Sequence, residues 1–372
     1  MPVAPPLTIL GVIEKEAVVR NSRFRFLIIA VGIFTLLFGL STCAKKELSP
    51  DTALSVLPKD AAFVLSANVK KFAETGLFKE MMKDPKNLEG YNKFIATTGI
   101  NPEKDIERIV VAGSFGDQAQ KNIALAAFGN FDKDKILAGI KKEGGDKLDL
   151  VMSNYEGTEL YKVSEQQEPF SMGFINPRCM VAGGEEGIRK LIDLNKGKGE
   201  SIEKNAELMA LLKGIDQKSM MWGGGLIPPE LSQKASGNPF TASLASVKSV
   251  VFSVNMGDAF DLNLLGNSDT EQNAKQVSDL LKSFISIGKM TQSGKPSVMQ
   301  AFDALIIGNK GNTVTVSIHL SKELMEKISQ EAKSEVESKI KEVQPQQAVP
   351  QGEPLPQGEP QQAQPESQTV PK

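Results

Sequence analysis

The chain of 372 residues has one histidine, two cysteines, one tryptophan and three tyrosines. Zinc sites built from imidazole and thiolate have almost nothing to draw on, and neither do triads that need a histidine base. No metal and no cofactor is expected. Charge of one sign is also missing: Lys+Arg 43 stand against Asp+Glu 45, a formal net of −2, with no basic stripe. Nucleic acid is therefore not an expected partner. Hydrophobic residues make up 40% and charged ones 24%, which excludes a polytopic membrane protein and a fully disordered chain. Calcium-loop, nucleophile-elbow and kinase spacings are absent too.

What is present begins with the first 43 residues. Arg20, Arg23 and Arg25 precede an apolar run that starts at Phe26 and ends at Leu40. That length suits a signal-peptide core and falls short of the ~20 residues a spanning helix needs. The run closes in Leu40-Ser41-Thr42-Cys43 and a polar Ala44-Lys45-Lys46-Glu47. This resembles the lipobox of bacterial lipoproteins, which implies cleavage between Thr42 and Cys43 and lipid on Cys43. Thr42 departs from the pattern, where Gly, Ala or Ser is usual. The alternative is an uncleaved single-span anchor with its arginines held inside. Either way the membrane is a partner and the body is exported, to the periplasm or the cell surface. Two or three acyl chains would hold it stably, since one chain binds only marginally.

The body reads as two similar halves. Ile109-Val110-Val111 and the strand through Ile123 to Phe128 are followed by Gly129-Asn130-Phe131-Asp132 and a helix. Val250-Val251-Phe252 and the strand from Phe260 to Leu265 are followed by Gly266-Asn267-Ser268-Asp269 and a helix. Gly-Asn with a following Asp is a turn and N-cap signature, expected in both halves. A constant offset over several elements indicates internal duplication. Short turns such as Gly311-Asn312 favour antiparallel hairpins. The expected fold class is α+β, two similar halves of mainly antiparallel sheet with packed helices. The expected boundaries are a signal or anchor at 1–42, a linker at 43–60, repeats at 61–204 and 205–330, a helix extension at 331–343 and a disordered Pro/Gln-rich tail at 344–372. That extension continues an apolar stripe of Leu324, Ile328, Ala332, Val336, Ile340 and Val343. The tail repeats Pro-Gln-Gly-Glu-Pro and cannot build a core.

Few residues suggest chemistry. His319 alternates with Thr313, Thr315 and Ser317 on one strand face, as a surface histidine would. Cys179 lies in an apolar run and reads as a buried, inert thiol. Gly183-Gly184-Glu185-Glu186-Gly187 superficially resembles a phosphate loop, but two carboxylates at a helix start repel phosphate, so a tight turn is expected. Asp258 and Asp261 form one of many carboxylate pairs and have no supporting motif. Trp222-Gly223-Gly224-Gly225 lies where the second half repeats the strand Ala61 to Val69, and successive glycines permit close approach by a neighbouring strand or by a ligand. Trp222, Gly223 and Gly224 are therefore the candidate ligand contacts.

Leu57-Pro58-Lys59-Asp60-Ala61-Ala62-Phe63-Val64-Leu65, the passage from Gly99-Ile100-Asn101-Pro102 to Ile109-Val110-Val111, and Gly311-Asn312-Thr313-Val314-Thr315-Val316 are similar to a broad family of exported bacterial lipoproteins of unknown function with a duplicated α/β body. The resemblance covers roughly residues 50 to 330. It implies location and fold, and offers no catalytic residues. The expected function is that of a non-enzymatic cell-envelope lipoprotein that binds an envelope protein or ligand, with a groove between the halves as one place for it. The alternative is an exported hydrolase using carboxylates with Lys or Ser and no histidine.

Overall fold

The computed structural model describes residues 53–115, 119–144, 150–163, 170–230, 232 and 242–343. The apolar run 26–40, Thr42, Cys43 and the tail 344–372 lie outside them. Residues up to Ile328 form one compact unit and those from Ser329 onward a second.

The first unit is built on one antiparallel sheet of twelve strands. These are β1 (Phe63–Asn68), β2 (Ile106–Gly113), β3 (Ala124–Gly129), β4 (Leu150–Tyr155), β5 (Thr158–Val163), β6 (Phe170–Asn176), β7 (Cys179–Gly184), β8 (Met221–Leu226), β9 (Val247–Met256), β10 (Ala259–Ser268), β11 (Leu305–Lys310) and β12 (Thr313–Ser321). Their spatial order is β11-β12-β10-β9-β8-β1-β2-β3-β7-β6-β5-β4. Read outward from the β1·β8 pair, one side runs β1-β2-β3-β7-β6 and the other β8-β9-β10-β12-β11. The two sequences of strands match, with the β4–β5 hairpin added on the first side.

The two halves are not separate bodies. β1 and β8, the strands that correspond to each other, pair antiparallel from Phe63↔Gly225 to Ala67↔Met221 and make the sheet continuous. Trp222, Ser66, Val110, Ala126 and Val181 stand in one row across five strands. This face is covered by α7 (Glu185–Asn195), α8 (Ala206–Leu212) and the entering residues Ala53, Leu54 and Leu57, all in one cluster. The expected linker 43–60 therefore ends before Ala53: Leu57 is fully buried, and its carbonyl accepts from the Ile202 N–H at 2.8 Å. The expected boundary at 204/205 likewise falls inside a shared core, because Ile202, Leu208 and Leu212 belong to that cluster.

The opposite face of the first half carries α1 (Val69–Glu74), α2 (Gly76–Met81), α3 (Pro85–Thr98) and α6 (Lys133–Gly144), packed through Phe78, Tyr91, Phe94, Phe131 and Ile136 on Ile109, Ala127 and Met180. α3 starts at an Asp84 cap followed by Pro85 and stops at left-handed Gly99. In the second half α9 (Glu271–Thr291) seals the same face with Ala274 and Val277 against Val247 and Val314.

The turn and N-cap signature differs between the halves. The Asp132 carboxylate accepts from the Lys135 N–H at 3.0 Å, as expected of a cap. In the second half Gly266, Asn267 and Ser268 stay within β10, and Thr270 caps α9 instead. α11 (Lys322–Val343) follows β12.

Candidate functional site

The face that carries α1 and α9 is covered unevenly. α1 packs over β2, and α9 over β10, β12 and β11. Between them lie β1, β8 and β9, the strands of the seam. Leu65, in the middle of the central strand β1, is 41% exposed. Its register partners on this face are Val111 and Gly223, and Gly223 in turn faces Phe252. Phe63, Ala67, Phe252 and Val254 on the same face are half-buried.

One wall of this trough is α9. Phe284 and Ile287 are exposed, Ile287 at 56%. At about 100° per residue they lie roughly 140–160° around the helix from Lys289, which pairs with Asp303 at 2.5 Å. Asp303 ends α10 (Pro296–Asp303), the helix that leads into the edge strand β11. The apolar stripe of α9 therefore points the other way, towards β9. A four-step gap separates β2 from β10, about 19 Å at ~4.8 Å per step. We read this uncovered strip as an apolar groove across the seam, floored by Leu65 and Phe252, with the exposed Phe284 and Ile287 on its α9 side.

A pocket of about 370 Å³ opens where α1 meets the β9–β10 turn, lined by Lys71, Glu74, Met220, Asn255, Asp258 and Asp261 among others. The Lys71 ammonium donates to the Lys218 carbonyl at 3.3 Å, and Asp261 pairs with Nδ1 of His319 at 2.7 Å. Glu74 and Asp258 have no ion pair or hydrogen bond among the described residues.

The candidate ligand contacts fall differently. Trp222 is completely buried in the main core and Gly224 lies against Val251 and Leu212, so neither meets solvent. A Cβ on Gly223 would come within 2.5 Å of the Leu65 side chain and 3.0 Å of the Phe252 ring. The glycines serve the close approach of neighbouring strands. Gly223 alone lies near the groove, beneath the two side chains that floor it.

Against known protein families, curated proteins and solved structures, the chain has no match.

Cys179 and the glycine-rich turn before α7 are accounted for by packing. Cys179 is buried, and desolvation pushes its thiol up to about 12. Gly183 and Gly184 sit where added Cβ atoms would come within 2.3 Å of the Ile123 carbonyl and 2.2 Å of the Gln120 carbonyl. The loop that resembled a phosphate cradle is thus filled by the chain's own α5 (Ala119–Asn122) and the residue after it. Among the described residues no group of three or more His, Cys, Asp or Glu is placed to hold a metal ion. No described helix is long and apolar enough to cross a membrane.

Proposed function

We propose that this is a cell-envelope protein that binds a partner through the apolar groove over its seam, held at the membrane by lipid on Cys43 or by the run 26–40. It belongs, on this reading, with the exported bacterial lipoproteins that its segments resemble, its body a duplication fused through β1 and β8. The observation that carries the binding reading is Leu65. A large apolar side chain in the middle of a central strand is normally covered, and exposed apolar patches mark interaction surfaces.

The carboxylates with displaced titration are exposed groups in surface ion pairs or helix caps. Lysines hold Glu156, Glu159, Glu200 and Asp279 below their ordinary values, and hydrogen bonds from Asn273 and Ser321 do the same for Asp269 and Glu323.

The attachment is tested by the mass of the N-terminal peptide of protein taken from membranes of its native host. A diacyl or triacyl adduct on Cys43, lost in Cys43→Ser, is the expected result. An unmodified peptide that begins ahead of Phe26 would replace the lipid anchor with a single span.

A further inference from the structure

Resting on the binding reading above, we infer that the groove's occupant is one amphipathic helix of a partner protein, laid apolar face down over β1, β8 and β9 and carrying Lys or Arg at the end that meets Glu74 and Asp258. Width selects a helix. A helix with its side chains is about 10–12 Å across, and the ~19 Å between β2 and β10 leaves room for one and not for two. A lone hydrocarbon chain is narrower and would leave part of the floor wet. Length agrees: the ten residues of β9 run about 33 Å, the length of a helix of about 22 residues.

Charge sets the direction. Leu65, Phe252, Val254, Phe284 and Ile287 bear no charge, and Lys248 at the far end of β9 is the cation in the same alternation, so the middle of the occupant meets apolar surface. At the β9–β10 end, Glu74 and Asp258 are unpaired among the described residues, while Lys71, the cation that lines the pocket, already donates to a backbone carbonyl. An uncompensated acidic end complements a basic terminus and repels an acidic one.

The test uses the full chain in phosphatidylcholine vesicles and two fluorescent synthetic helices of about 22 residues with identical Leu/Ala faces, one ending in lysines and the other in glutamates. The lysine-ended helix should bind about tenfold more tightly at low salt, the gap narrowing as salt is raised. Glu74→Gln with Asp258→Asn should close the gap. Leu65→Lys or Phe284→Lys should abolish binding of both peptides, with the denaturation midpoint held because both positions are exposed.

Peptide binding no stronger than to protein-free vesicles overturns the helix inference, as does a gap that survives removal of both carboxylates. Quenching of a dye on Leu65→Cys by spin-labelled lipid would make the bilayer the occupant and overturn it too. If both peptides fail while a small apolar dye still binds in a Leu65-dependent way, the helix falls and the binding reading stands. If the dye fails as well, both fall.

Discussion

Gly129→Ala should unfold most of the protein or cost about 3 kcal/mol or more, read as a collapse of the urea midpoint. A Cβ there would lie 1.8 Å from the Asp105 carbonyl oxygen and 2.9 Å from the Ile106 Cα. These are backbone atoms, so no side-chain rotation relieves the clash. The approach is close because β2 bulges between Ile106 and Arg108, and the Asp105 carbonyl is held there by the Asn130 N–H at 2.7 Å. Gly266, its counterpart by sequence, has Val247 no nearer than 3.6 Å, and Gly266→Ala should change stability by less than about 1 kcal/mol. Equal effects at the two positions would contradict the packing described.

Trp222→Ala should cost about 3–5 kcal/mol, the range for emptying a fully buried aromatic site. The side chain stands in a row with Ser66 and Val110 beneath α8, where α8 and the entering residues close over it. Trp222→Phe should recover much of that loss. Among the described residues the indole N–H has no hydrogen-bond partner, so Phe removes a buried donor left unsatisfied there. Circular dichroism during denaturation measures both variants, since the only tryptophan is lost in each. A Trp222→Ala protein of wild-type stability with weakened binding would restore the ligand-contact reading.

Much of the scaffold is legible in the sequence because it rests on local signals. Alternation in Thr313 to Leu320 and the Gly311-Asn312 turn specify the β11–β12 hairpin, and Gly311 adopts the positive φ that the turn requires. What fuses the halves is not local. β8 sets glycines against Phe63, Val64 and Leu65 of β1, and β1 sets Ser66 against Trp222, but nothing in their periodicity says which strand each will meet. A groove between the halves is expected from the sequence, but its lining is hidden for the same reason. Leu65, Phe252, Phe284 and Ile287 have the pattern of core residues, and only the placement of α9 over β10–β12–β11 leaves them uncovered. The run Trp222-Gly223-Gly224-Gly225 is legible as a close approach, and β8 lies paired between β1 and β9 there.

The open groove is the claim on which the functional account depends, and neighbouring residues of β1 test it directly. Leu65 faces the groove at 41% exposure, whereas Val64, the next residue, is fully buried on the opposite face. In a Cys43→Ser background, with Cys179 buried and its thiol pushed up to about 12, Leu65→Cys and Val64→Cys are compared for alkylation in the purified, folded full chain. The account predicts fast modification at position 65 and modification at position 64 only through unfolding, orders of magnitude more slowly. Equal protection at both positions would mean that this face is covered, and the proposed binding surface would not exist.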